Sequence, residues 1–261
     1  MLKSGLVISG IVLALSVSAT PVPAQTLLGH WTFDANFSDE TGMNDGTPIG
    51  GVRIDNQIPS PLGGGYLLLD GINDSGLALS LTFGGRNVVG DGFAISIVLR
   101  YILEFCATAA EAAEVLGRVP VHMAYNVTAL DKSGDYLTTY ISPDREAITR
   151  RLAIATNHQK QIEWHRHARA TATLERERFL FFRLTDPRMT ERKLADAFLK
   201  SPLYSTSYET GFGTLYTALY WPAAGRAEYR WPGATWKQSF DRFEPGERRQ
   251  DYGAAERRSA G

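Results

Sequence analysis

The feature that most constrains this chain is a change of texture at residues 70–74. Before it, short apolar runs alternate with clusters of Gly, Asp, Asn and Ser. Residues 27–33, 52–54 and 66–69 read as short strands, and 34–46 and 59–65 as tight loops. Strands in so short a run cannot bury an apolar face alone, because isolated strands are marginal in water. After the seam, apolar segments of strand and helix length alternate, which is the pattern of a mixed α and β layer structure. A chain of 261 residues accommodates two small domains or one medium one.

Past the seam the elements are individually legible. Residues 77–83 read as a buried strand followed by a Gly84-Gly85 turn, and 95–106 as an apolar-rich helix. Thr108 and Glu111 have capping-box spacing and open a second helix that runs to about Arg118, with Pro120 just beyond. A hairpin follows, with strands over 121–130 and 136–141 and a turn carrying Gly134. Residues 152–156 read as a further strand ending at Asn157. The stretches 168–184 and 191–199 read as helices, and 214–221 with 227–231 as a closing hairpin turning at 223–225.

Charge and composition exclude some partners. Lys and Arg number 27 against 28 Asp and Glu, so no broad field exists to hold nucleic acid or an anionic membrane. Lys3, the apolar run 6–17 and the small residues Val22-Pro23-Ala24 have the order of a cleavable secretion signal, with the apolar run too short for a stable span. Secretion or periplasmic residence is the expectation, with no stable membrane span after cleavage. Cys106 stands alone, so no disulfide framework is possible within the chain. The sequons at Asn36, Asn73 and Asn126 are short enough to arise by chance.

Two resemblances meet at the seam. Leu28-Gly29-His30-Trp31-Thr32-Phe33-Asp34, Asp45-Gly46 and Tyr66-Leu67-Leu68-Leu69-Asp70-Gly71 resemble the opening third of a laminin-G-like (concanavalin-like) jelly roll. The stretch from about 72 to 246 resembles the penicillin acyltransferase-like branch of the N-terminal-nucleophile hydrolases, near the choloylglycine hydrolases. It does so through Asn73-Asp74-Ser75-Gly76-Leu77, Arg100-Tyr101-Ile102-Leu103-Glu104, Val119-Pro120-Val121-His122 and Asp131-Lys132-Ser133-Gly134-Asp135. Ala155-Thr156-Asn157-His158-Gln159, Gly213-Thr214-Leu215-Tyr216 and Trp231-Pro232-Gly233 continue the match in order. The expected fold class is α+β: an incomplete αββα sandwich of the N-terminal-nucleophile hydrolase type behind an all-β jelly-roll-like fragment. The expected organisation is a signal peptide over 1–24, the β segment over 25–72, the hydrolase-like part over 73–246 and a disordered tail over 247–261. The missing first strands of the sandwich would leave a sheet edge bare, and the jelly-roll-like strands are expected to pair there.

The second resemblance implies amide chemistry on a small amide or acyl substrate. In such enzymes a Cys or Ser at an unmasked chain start attacks the amide while its own amine takes the proton, and fixed donors hold the oxyanion. By resemblance Asn157 is the oxyanion or substrate-orienting Asn, and Arg176 the late catalytic-region Arg. The residues by themselves allow other roles: Asn157 as a strand-exit Asn serving turn backbone, and Arg176 as a solvated Arg within Glu175-Arg176-Glu177-Arg178. Cys106 reads as a core residue in an apolar helix rather than a nucleophile. His165 and His167, two apart, read as a surface loop pair rather than metal ligands, and Trp31, Trp221, Trp231 and Trp236 as packing rather than a sugar platform. The acidic loop with Asp34, Asp39, Glu40 and Asp45 has no regular ligand spacing, and neither a cofactor nor a metal is expected.

No segment matches the family's nucleophile strand or its accompanying Arg and Asp, and the jelly-roll-like stretch occupies their place. The expectation is therefore an amide hydrolase or acyltransferase-like chain that is inactive or impaired by itself. The alternatives are a secreted module that binds sugar or protein through residues 25–75, and a folded remnant. A run shared by both resemblances at the seam is where two genes can recombine or two sequence reads can be joined, and both origins are open at this point.

Overall fold

In the computed structural model the described residues are 7–11, for their backbone, and 69–208, 212–243, 250 and 252. The strands expected at 27–33 and 52–54, most of that at 66–69, the cleavage site and the acidic loop lie outside them.

Two antiparallel sheets carry the molecule. The first contains β1 (Val7–Ile11), β7 (Tyr216–Trp221), β8 (Arg226–Trp231) and β9 (Ala234–Ser239), in that spatial order. The second contains β2 (Asp70–Ile72), β3 (Leu77–Phe83), β4 (Tyr125–Asp131), β5 (Tyr136–Ser142) and β6 (Arg145–Arg150), each beside its sequence neighbour. The helices are α1 (Ile95–Phe105), α2 (Ala109–Arg118), α3 (His165–Ala170), α4 (Thr173–Thr185) and α5 (Glu191–Ala197).

The alternation of β3 explains the layering. Leu77, Leu79 and Leu81 face one way, into a core with Val98, Leu99 and Ile102 of α1 and Ala112, Val115 and Leu116 of α2. Ala78 faces the other way, against Ala218, Tyr220 and Ala227 of the first sheet. β7 repeats the rule, since Leu219 and Trp221 turn outward onto Ala195 of α5. Successive strand residues point to opposite faces, so both strands are covered on both sides and sit inside the molecule, with Ser80 sharing the Ala78 face of β3. The order of layers is helices, sheet, sheet, helix, as the αββα expectation has it.

The seam belongs to the second sheet. Asp70, Gly71 and Ile72 pair with Ser80, Leu79 and Ala78. Asp70 also ties the two sheets together, accepting hydrogen bonds from Tyr220 Oη at 3.0 Å and Tyr216 Oη at 3.2 Å. Burial and the neighbouring Asp70 carboxylate push the Tyr220 phenol well above its ordinary value.

Among the described residues, the strand beside β7 is Val7–Ile11, with Val7 opposite Tyr220 and Ile11 opposite Tyr216. That edge partner comes from the apolar run expected as a secretion signal, not from the jelly-roll-like strands. No helix among the described residues is long and apolar enough to cross a membrane.

Local expectations hold where backbone chemistry is strong. The 77–83 strand has those bounds, and the capping box is complete: Glu111 N donates to Thr108 Oγ1 and Thr108 N to Glu111 Oε2. Cys106 caps the end of α1 rather than lying inside it. Its burial pushes the thiol up to about 11, so a core role fits and thiolate chemistry does not.

Two expectations fail for identifiable reasons. Residues 152–156 form no strand, because side chains take their carbonyls. Thr138 Oγ1 donates to Leu152 O at 3.0 Å and Asn126 Nδ2 to Thr156 O at 2.8 Å. The edge strand is instead β6, whose polar, mostly exposed residues carry no apolar alternation. The helix expected over 168–184 is broken, because Ala172 takes a left-handed conformation, φ 47°, and α4 starts afresh after it. β9 was not expected. It pairs with β8 through a turn containing Gly233.

A charged cluster fastens the loop after β3 to the β5–β6 turn. Arg86 donates to both oxygens of Asp144, at 2.6 and 2.8 Å, and through Nε to Glu163 at 2.8 Å. It also donates to Ser142 Oγ, and Arg145 completes the set on Glu163. Arg86 holds the Asp144 carboxyl far below the usual carboxylate range. Arg86→Met is expected to destabilise by about 2 kcal/mol, the worth of hydrogen bonds to charged groups, and to lower Tm by about 4–8 °C. Because the Asp144 value is depressed in the fold, its contribution is complete above pH ~3.9 and is lost as the pH falls from there. Thermal melts of wild type and variant between pH 2 and 7 should converge at the acid end.

Candidate functional site

The two candidate residues from the sequence come together at the end of β3. Asn157 follows the irregular stretch 151–156, and Arg176 lies one turn into α4. The Arg176 guanidinium donates to Asn157 Oδ1, and its Nε donates to Thr171 O at 2.8 Å. Asn157 Nδ2 points toward Phe83 O at a long 3.4 Å, so this donor is only weakly engaged within the chain.

Two devices hold Asn157 there. Asn126 of β4, fully buried, donates through Nδ2 to Thr156 O at 2.8 Å, His158 O at 2.9 Å and Thr82 Oγ1 at 3.1 Å. Thr82 Oγ1 donates in turn to Thr156 O at 3.1 Å. The turn bearing Asn157 is thus clamped to the ends of β3 and β4 from both sides. The second device is Gly85, at φ +69°, where a Cβ would fall 2.2 Å from Asn157 O. Only glycine lets the loop after β3 pass this close, and a side chain there would displace the Asn157 backbone.

Arg176 departs from the solvated-helix reading. Instead of pairing with Glu175 or Glu177 it turns inward, and among the described residues no carboxylate lies within ion-pair distance of it. Burial pulls its guanidinium down to about 10. A desolvated cation without a carboxylate is costly to the fold and is a feature of sites that meet a ligand.

An aromatic wall flanks the pair. His167 stacks on Trp164 with ring centres 5.2 Å apart and meets Phe83 edge-on at 5.0 Å, and Phe83 also meets Trp164 and Tyr125. The expected surface loop pair of histidines is corrected here. Both lie on α3, and His167 is drawn in against apolar rings, with its Nδ1 buried and lacking a hydrogen-bond partner. His158 bonds through Nδ1 with Thr173 Oγ1 at 3.0 Å and faces Glu177 with Nε2 at 3.6 Å. Burial lowers both imidazoles below their ordinary value. Arg176 adds to this, and for His158 the Glu177 carboxylate opposes it. Among the described residues no three His, Cys, Asp or Glu side chains converge as metal ligands would.

The remaining candidates resolve into packing. Trp221 Nε1 donates to Glu191 Oε1 at 2.7 Å and Trp231 Nε1 to Leu215 O at 2.6 Å, while Trp236 packs on Tyr229. The Asn73 amide is spent on Leu103 O and Cys106 O, and Asn126 is inaccessible, so neither sequon amide is free to carry a glycan. Sequence reasoning passed over Asn126, Gly85 and the aromatic wall. Asn126 carried a signal only as a polar residue in the middle of an apolar strand.

The model of the family described as acyl-coenzyme A:6-aminopenicillanic acid acyl-transferase matches residues 66–236. That span contains Asn157, Arg176, Gly85, Asn126 and the rings of the aromatic wall. Solved structures similar to this chain include an N-acylethanolamine-hydrolyzing acid amidase ortholog of Caenorhabditis elegans, at 15% identity and TM-score 0.42, covering 59% of this chain and 70% of that one. Penicillin V acylase from Agrobacterium tumefaciens is similar at 15% identity and TM-score 0.43, covering 66% of each chain. A conjugated bile acid hydrolase mutant from Clostridium perfringens is similar at 12% identity and TM-score 0.37, covering 66% of this chain and 72% of that one. No curated protein matches the chain.

If Arg176 is there for a ligand and not for the fold, Arg176→Met should leave stability unchanged or raise it by about 1 kcal/mol. A loss of more than about 2 kcal/mol in denaturant melts would make Arg176 structural. The His167 titration midpoint, read by NMR, should lie below 6.5 in the wild type and rise in the variant. The stability given by the two neutral imidazoles is complete above pH ~6.5 and is lost as the pH falls.

Proposed function

From membership of the acyl-coenzyme A:6-aminopenicillanic acid acyl-transferase family, to which this chain belongs, we propose that its site serves the breaking or exchange of a linear amide C–N bond in a small amide or acyl substrate. The observation that carries this reading is the meeting of the Asn157 amide with the unbalanced Arg176 guanidinium. In an acyl transfer the carbonyl oxygen gains negative charge as the tetrahedral intermediate forms. Asn157 Nδ2, only weakly engaged with Phe83 O, is the donor to turn on that oxygen. Arg176 fixes the amide's orientation through Oδ1, which leaves the NH2 group, turned toward Phe83 O, as the donor. The Phe83, Trp164 and His167 rings offer an apolar side for an acyl chain.

The attacking group is a separate matter. The sole cysteine, Cys106, sits between α1 and α2 in the outer core, and its thiol is held protonated. Among the described residues no thiol or hydroxyl bonds to Asn157. We therefore take the chain alone to be severely impaired in acyl transfer. Purified protein incubated with model N-acyl amides should release no acyl group above the uncatalysed rate. Substantial release that survives thiol alkylation, and that falls at least about a hundredfold in Asn157→Ala, would show that a hydroxyl nucleophile completes the site.

A further inference from the structure

Away from the Asn157–Arg176 pair, the end of α4 and the start of α5 enclose an open cavity of about 520 Å³ whose charge the described residues do not balance. Four cations line it, Arg183, Arg188, Lys193 and Lys200, against two carboxylates, Asp186 and Asp196. Both carboxylates are already occupied. Asp186 accepts from the Arg188 side chain at 3.1 and 3.3 Å and from its backbone N at 2.9 Å. Asp196 accepts at 2.8 Å from Arg230, which comes from β8 and is not part of the lining. Arg183, Lys193 and Lys200 are left with no carboxylate within ion-pair distance among the described residues.

Their placement is not what helix stability asks for. Arg183 is in the last turn of α4, where a cation suits the helix dipole, but Lys193 is in the first turn of α5, where it opposes the dipole. Lys193 Nζ is steadied by Arg188 O at 3.1 Å, which keeps its charge at the cavity rim without neutralising it. The Arg183 guanidinium lies over the Phe179 ring, 4.7 Å from its centre, so its N–H groups project at the plane's edge, where they can form paired bonds to an oxyanion. Three unbalanced cations from two helices and the turn after them exceed what one carboxylate requires. They match the two to three charges of a pyrophosphate group, and the volume leaves room for what that group is attached to.

We propose that this cavity is a binding site for a pyrophosphate-bearing ligand, held by Arg183, Lys193 and Lys200. The site stands seven residues along α4 from Arg176, about 10 Å at the helical rise, and does not depend on the amide-chemistry reading. The pyrophosphate can belong to inorganic pyrophosphate, to a nucleoside diphosphate or to coenzyme A, which all present the same oxygens.

The test is isothermal titration of the full-length protein with inorganic pyrophosphate, ADP and coenzyme A, with sulfate as the comparison of a single tetrahedral dianion. Pyrophosphate should bind at one site at least about tenfold more tightly than sulfate, and more weakly as salt is raised. Lys193→Ala and Lys200→Ala should each weaken it about tenfold, the worth of one charge-assisted hydrogen bond. Both are exposed, so their melting curves should match the wild type. Arg192→Ala, exposed on α5 outside the lining, should bind as the wild type does. ADP binding like pyrophosphate assigns the site to the shared group, and coenzyme A binding more tightly than both assigns it to the carrier. Absence of saturable binding by all three overturns the proposal. So does binding that Arg192→Ala weakens as much as Lys193→Ala, which is attraction to general surface charge.

Discussion

The site depends on one buried amide. Asn126 lies in the middle of the molecule at the start of β4, and its NH2 group reaches carbonyls on both sides of Asn157. The stretch 151–157 has no ladder of its own, and from β4 Asn126 supplies donors to Thr156 O and to His158 O just beyond it. An apolar residue at 126 would free the turn and leave Thr156 O to Thr82 Oγ1 and the His158 backbone N–H. Everything that Asn157 can do is thus set by a residue on another strand, and by the absence of a side chain at Gly85.

The sandwich and the site were legible in the sequence to different degrees. The αββα order follows from a strand legible as buried, Leu77 through Phe83, and from a capping box that starts α2 where its residues say it should. β6 and the 152–156 stretch were exchanged because hydropathy sees apolar alternation and not side chains that satisfy a backbone. Ile154 and Leu152 look like strand residues, whereas Arg145–Arg150 look like a loop. The break at Ala172 carries no glycine or proline to announce it. For the site, the Asn157 and Arg176 pair was reached by resemblance. Their contact joins residues nineteen apart across that unannounced break, a relation no local spacing encodes.

Arg176 and Arg86 show how differently the same side chain is used. Arg86 is surrounded by carboxylates and a hydroxyl, and it joins three separate segments. Among the described residues Arg176 has only neutral acceptors, an amide oxygen and a backbone carbonyl. The first arrangement stabilises a loop. The second keeps a positive potential beside two imidazoles, opposed at His158 by the Glu177 carboxylate.

The pairing of Val7–Ile11 with Tyr216–Trp221 bears on any cut made after these residues. A peptide cut at the small residues near 24 would carry this strand away and leave the hydrogen-bonding edge of β7 open. One stretch of backbone cannot both depart with a leader and remain in the sheet. In the structure these residues are committed to the sheet, and β7 lies inside it because of them.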